Sequence, residues 1–262
     1  MTADGINVLC VDVTGDQVKA AFMATTDASI YKFQYYRTTA GALTLPVDVL
    51  SDKKATIIQI GCPHTDGSCA TLTLDVDVLA FRFTRRNTVE MHLTYVDMSS
   101  QTSFGFLDGF DVLSTLRIDH YRGIGAFGTL PQLPGLKLLT LINGDKSLDG
   151  VVFPDLTPAS LQSFNLDNNY LGDNAVNNIL IALSGSSSAN TIEYLALKGN
   201  NLVEVPRRLP SFYKLNWLDL NSNQIATITR SRLLFSVPPS YIDLANNVIT
   251  AMENGTFSGE IS

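Results

Sequence analysis

The sequence predicts an α/β solenoid, a stack of coils that each add one strand to a parallel sheet. Three observations predict it. Four phrases, LQSFNLDNNYL, IEYLALKGNNL, LNWLDLNSNQI and PSYIDLANNVI, align on the form LxxLxLxxNxL, with Pro239 at the first Leu of the last copy. Their central aliphatics, Leu166, Leu197, Leu220 and Leu244, stand 31, 23 and 24 residues apart. Each phrase carries an asparagine three residues after that centre: Asn169, Asn200, Asn223 and Asn247.

A period of roughly 20–29 residues with this pattern is the leucine-rich repeat signature. The expected fold is therefore an α/β leucine-rich repeat solenoid, a curved right-handed coil stack with its parallel sheet on the concave face. Each LxL is a short strand whose two Leu side chains point inward and whose middle residue points out. Where the chain turns away from the strand it leaves buried backbone groups that need partners. An Asn side chain both donates and accepts, so one Asn per coil builds a ladder along the stack.

Reading backwards, the phrase degrades but the period persists. The central position falls on Leu141, Ile118, Leu93, Ile60, Tyr35 and Cys10, and the spacings from Cys10 onward are 25, 25, 33, 25, 23, 25, 31, 23 and 24. One solenoid of about ten coils is thus expected over residues 1–262, degenerate over 1–140 and regular over 141–262. In the degenerate coils Gly144, Tyr121, Val96, Pro63, Thr38 and Val13 stand where the Asn should be.

The back of each coil follows from its length. The 31-residue spacing holds DNAVNNILIALSG, where Asp173 is a suitable N-cap, Val176, Ile179, Leu180 and Leu183 share one helical face, and Gly185 is a natural stop. One helix is expected near 173–184, and short 3₁₀ or extended segments elsewhere. Phe110, Phe212, Phe235 and Phe257 are expected to fill the convex core.

A net charge of −7 argues against nucleic acid, because phosphate binding needs a basic surface. No apolar run approaches the ~18–20 residues of a membrane-spanning helix. GCPHTDGSC holds Cys62 and Cys69, which are expected to close a small disulfide loop, and this implies an oxidising compartment. Cys10 is the odd cysteine and is expected to be a buried free thiol. Asn254-Gly255-Thr256 is an N-glycosylation sequon. The opening TADGINVL has neither the basic nor the apolar segment of a signal peptide, and GTFSGEIS stops mid-coil, so both ends are expected to be truncated.

ITAMENGTFSG and VPRRLPSFYKLNWLDLNSNQI resemble the coils of animal extracellular leucine-rich repeat proteins. More narrowly, residues 156–228 are similar to a secreted crustacean-type group whose named member is the non-catalytic subunit of shrimp luciferin 2-monooxygenase. The resemblance implies a secreted recognition or scaffold protein and brings no catalytic residue with it.

Outward strand positions line up as stripes, because adjacent strands lie ~4.8 Å apart. The stripe three residues before each centre ends in Tyr194, Trp217 and Tyr241, flanked by Asp219 and Asp243. Tyr and Trp are favoured interface anchors, so these five residues are the first candidate partner site. The alternative is that the rings only cover neighbouring strands. Tyr36, Arg37, His92, Tyr95, Arg117 and His120 form a second candidate cluster. No nucleophile elbow, zinc-protease helix, phosphate loop or dinucleotide fingerprint occurs. The expectation is a non-enzymatic extracellular protein with no cofactor or metal that binds a protein partner. A scaffold subunit of a secreted luciferase-like oxidase and a cytosolic adaptor are the alternatives.

Overall fold

The structure is a computed structural model that describes residues 6–24, 29–50, 52–62, 70–145, 148, 151 and 161–256. Its strands are β1 (Ile6–Val11), β2 (Ser29–Tyr36), β3 (Gly41–Leu45), β4 (Lys54–Gly61), β5 (Leu72–Val76), β6 (Glu90–Asp97) and β7 (Thr115–Arg122). They continue as β8 (Leu138–Ile142), β9 (Ser163–Asn165), β10 (Tyr194–Ala196), β11 (Trp217–Asp219), β12 (Thr227–Ile228), β13 (Tyr241–Asp243) and β14 (Ala251–Met252).

The main ladder runs β1-β2-β4-β6-β7-β8-β9-β10-β11-β13, every step parallel. Parallel neighbours need a crossover, and here each crossover is the back of one coil. Cys10 pairs with Tyr35, Tyr35 with Ile60, Ile60 with Leu93, Leu93 with Ile118 and Ile118 with Leu141. Those are the central positions that periodicity picks out. Two residues before each centre and on the same strand face, Phe33, Ile58, Met91, Leu116, Leu139, Phe164, Leu195 and Leu218 form a fully buried row. A leucine-rich-repeat-like solenoid is what this sheet and core build.

The asparagines behave as the ladder argument requires. Asn200 Nδ2 donates to the Leu166 and Leu197 carbonyls at 3.0 and 2.9 Å, and its Oδ1 accepts from the Leu171 N–H at 3.0 Å. Asn223 repeats this with Leu197, Leu220 and Leu202, and Asn247 with Leu220, Leu244 and Ile225. Asn169 donates to Leu141 and Leu166. Each Asn thus ties its own coil to the one before it.

The degenerate coils solve the same problem differently. Gly144 leaves its ladder position empty, and the buried Tyr121 ring fills it: a Cβ built on Gly144 would lie 2.3 Å from Tyr121 Cζ. The Tyr121 hydroxyl then donates to Asn169 Oδ1 at 2.5 Å, two coils away.

Two expectations about the helices are corrected. The predicted single helix exists as α2 (Asp173–Ser184), preceded in chain order by an unpredicted α1 (Gly15–Met23). Thr14 and Gln17 close a capping box on α1, and Val18 and Phe22 bury against the sheet. That Thr-x-x-Gln spacing was the available signal. In α2 the N-cap is Gly172, not Asp173. The Asp173 carboxylate instead accepts from the backbone N–H groups of Val203 and Glu204 in the next coil. Gly185 does terminate α2, in an ordinary right-handed conformation.

The early coils also carry a second ladder that no period suggested. β3 pairs with β5 and β5 with the end of β6, so Leu43, Leu45, Leu72, Leu74 and Val76 bury a second apolar row. β12 and β14 also pair in parallel in the last coils, but there only Ile228 is buried and both residues of β14 are exposed. Phe110 and Phe212 are buried and Phe235 half-buried against the core, while Phe257 lies outside the described residues. Cys10 is half-buried rather than buried, and burial pushes its thiol up. It is the free cysteine among the described residues. Cys62 is not free, but its expected partner Cys69 lies outside the described residues, as does Pro63.

Candidate binding surface

Outward side chains on the main ladder gather into two regions. In the later coils Tyr194 pairs with Trp217 and Trp217 with Tyr241 in strict register. The Tyr194 and Trp217 rings stack with centroids 6.2 Å apart, and Trp217 and Tyr241 at 3.8 Å, each within about 22° of parallel. Trp217 and Tyr241 remain 40% and 41% exposed. Stacked pairs are worth about 0.5–1.5 kcal/mol each, so the rings are held in place before any partner arrives.

The flanking carboxylates do more than face solvent. Asp219 Oδ1 accepts from the Asn221 N–H and Asp243 Oδ1 from the Ala245 N–H, both at 2.8 Å. Each closes the turn that follows its strand. Asp243 Oδ2 accepts from Asn221 Nδ2 at 3.2 Å. Asp167 lies on the same face, where burial pushes its carboxyl up despite the bond it accepts from the Lys198 N–H. Type-based reading missed it, although its position one residue after Leu166 belongs to an outward stripe.

In the earlier coils five of the six second-cluster residues come together. Tyr36, His92, Tyr95, Arg117 and His120 line a cavity of about 410 Å³ on the outward sheet face. Arg37 does not join them: it donates to the Ala42 carbonyl and lies 3.8 Å from Asp12. The centre of the cluster is Asp119, nine-tenths buried, which sequence reading left out of the partner site. Arg117 Nη2 donates to Asp119 Oδ2 at 2.5 Å, Asn143 Nδ2 to Oδ1 at 2.8 Å, and His120 Nδ1 lies 2.7 Å from Oδ1. Gln34 and Gln59, also missed, line the cavity and bond to each other at 2.8 Å. All of them occupy outward stripes, so reading columns rather than residue types would have found them. Among the described residues no group of three or more His, Cys, Asp or Glu is placed to hold a metal ion.

His92 gives this region a pH dependence. Burial pushes its imidazole below the ordinary value; Glu90 opposes the shift, while Arg117 and Lys32 reinforce it. As pH falls through about 6.5, the unfolded chain takes up this proton before the folded one does. The contribution of neutral His92 is therefore complete above that pH and is lost as the solution acidifies toward the folded value. His92→Gln is expected to flatten the acid limb, checked by urea midpoints at about pH 7 and about pH 5.

Asn254 is exposed in a turn, and the Thr256 hydroxyl donates to the Glu253 carbonyl at 2.6 Å. Among the described residues no helix is long and apolar enough to cross a membrane. No family model matches the chain, and no curated protein matches it. Among solved structures it is similar to a chain of the "Toll - Spatzle complex, a molecular hub in Drosophila development and innate immunity", with TM-score 0.45 and 13% identity. That likeness covers 85% of this chain and 35% of the other, so the chain spans about a third of its neighbour's length. The leucine-rich-repeat-like character rests on this chain's own ladder and asparagines.

Proposed function

We propose that this is a non-enzymatic extracellular leucine-rich repeat protein that binds a protein partner on the strand face, which we take as the concave face. The carrying observation is the Tyr194–Trp217–Tyr241 stack, three registered rings held half-exposed on the outward side of the sheet. Covering neighbouring strands would not need the chain's single Trp at the centre of such a stack. Preorganised aromatic side chains lose little entropy when a partner docks, and Trp and Tyr dominate interface hot spots. Asp219 and Asp243 hold the turns behind the rings and add negative charge to the rim.

The sequence features that favour an extracellular location are the Cys62/Cys69 spacing, which suits a small disulfide loop, and the sequon at Asn254. Peptide mapping of the Cys62–Cys69 bond distinguishes this from a cytosolic adaptor, which would carry both thiols reduced. The similarity over residues 156–228 favours a second reading, a non-catalytic scaffold subunit of a secreted luciferase-like oxidase. Co-purification with a small β-rich oxidase would support it.

The partner site is tested by Trp217→Ala/Tyr241→Ala. Once a partner has been isolated on the immobilised chain and identified, its affinity is expected to fall about 100-fold or more with the unfolding midpoint little changed. Unchanged affinity would remove these rings from the interface.

A further inference from the structure

The cavity in the earlier coils sits beside a backbone irregularity. The residue two after the strand centre adopts left-handed φ in eight coils: Asp12, Tyr95, His120, Asn143, Asn168, Gly199, Ser222 and Asn246. Gly, Asn, Asp and Ser tolerate that conformation or offset it with local hydrogen bonds. Tyr95 does neither, and a bulky residue there stores strain that persists only when the surroundings enforce it. Its ring lies flat on His120, with centroids 4.2 Å apart and planes 8° from parallel. Both rings border the 410 Å³ cavity, a volume at the small end of ligand pockets, which run from about 300 to 1,000 Å³.

The lining defines the ligand chemistry. Arg117 and Asp119 neutralise each other at 2.5 Å, and among the described residues no other Asp, Glu, Lys or Arg lines the cavity. Much of the remaining polar lining is amide and hydroxyl: Gln34, Gln59, Asn143 and Thr94. Each amide has four hydrogen-bonding sites: the Gln34–Gln59 bond uses one on each glutamine, while Asn143 donates to Asp119 and accepts from Asn168 and keeps two, and the Thr94 hydroxyl donates to the Cys62 carbonyl. His92 Nε2 is buried without a hydrogen bond, 3.6 Å from the Glu90 carboxylate. Such a lining suits an uncharged ligand crowded with groups that both donate and accept. The Tyr95–His120 pair is closed on itself, which leaves no slot for a flat base between the rings but offers an outer ring face to C–H groups.

We propose that this cavity binds a neutral saccharide, its hydroxyls held by the Gln34, Gln59 and Asn143 amides and His92, one sugar face laid on the Tyr95–His120 stack. The site stands apart from the Trp217 ladder and does not depend on it.

The test is saturation-transfer NMR and calorimetry on the whole chain with cellobiose, lactose and N,N′-diacetylchitobiose. Sialyllactose, a heparin tetrasaccharide and adenosine serve as charged and flat competitors. Transfer from at least one neutral disaccharide is expected, with Gln34→Ala/Gln59→Ala weakening it about tenfold or more. Tyr95→Asn relieves the backbone, so it should leave the unfolding temperature unchanged or raised while abolishing transfer. Three results overturn the proposal: no transfer from any neutral sugar, affinity unmoved by both variants, or binding confined to the charged probes or adenosine.

Discussion

Asn200→Ala is expected to destabilise the protein by about 3–4 kcal/mol. The Leu171 N–H loses the acceptor that Asn200 Oδ1 supplies. A buried donor left without a partner costs about 1–3 kcal/mol. The Leu166 and Leu197 carbonyls lose less, because Asn169 still donates to the first and Asn223 to the second. Those two weakened acceptors add about 0.5–1.5 kcal/mol each. Asn247→Ala removes a comparable set of bonds at a half-exposed site, where water replaces them, and should cost about 1–2 kcal/mol. Urea unfolding of the two variants checks both the size and the order. Equal losses would mean that the ladder's strength does not depend on burial.

Gly144→Asn, which writes the missing ladder residue back into the sequence, is expected to be severely destabilising, by more than about 3 kcal/mol. Its side chain would meet the Tyr121 ring, whose nearest atoms lie 2.3–2.5 Å from even a bare Cβ. That ring is fully buried and cannot swing away. Tyr121→Asn alone opens a ring-sized cavity and removes a donor from Asn169, at about 3–5 kcal/mol. The double variant places two asparagines at consecutive ladder positions and restores what the later coils have. It should therefore be less damaged than the sum of the singles by about 2–3 kcal/mol. A double-mutant cycle by denaturant unfolding reads that coupling. Simple additivity would show that Tyr121 and Gly144 are not one device.

The coils that sequence reads most easily are those that use Asn, because one residue type at one position leaves a visible repeat. The earlier coils satisfy the same buried groups with parts from different coils. Tyr121 reaches through Gly144 to Asn169, and nothing in a one-dimensional pattern marks three such residues as partners. The period alone still placed Cys10, Tyr35, Ile60, Leu93 and Ile118 opposite one another, because a strand's side-chain alternation tolerates no slip once one face is buried. The α1 helix was signalled by a four-residue capping box that outweighed a coil length without obvious room for it. The second strand row through β3 and β5 had no period of its own to announce it.

Among the candidate sites the same division holds. Tyr194, Trp217 and Tyr241 could be stacked from sequence, because all three occupy one registered stripe. The dual use of Asp219 and Asp243 as turn closures could not, since it depends on where each carboxylate rotates. Sequence brings Asp119 forward only as a disfavoured metal ligand beside His92 and His120; its place at the centre of the cluster needs the convergence of Arg117, Asn143 and His120 on one carboxylate.

Sequence by itself therefore determined the coil period, the register of the sheet and the identity of the outward stripes. These follow from hydrophobic spacing, which is local and repeats. Tertiary structure alone decided which residues replace the missing asparagines, how the cavity at Asp119 closes, and that Tyr95 is held in a backbone conformation ill-suited to it. Those outcomes depend on contacts between residues a coil or more apart, whose geometry no single coil contains.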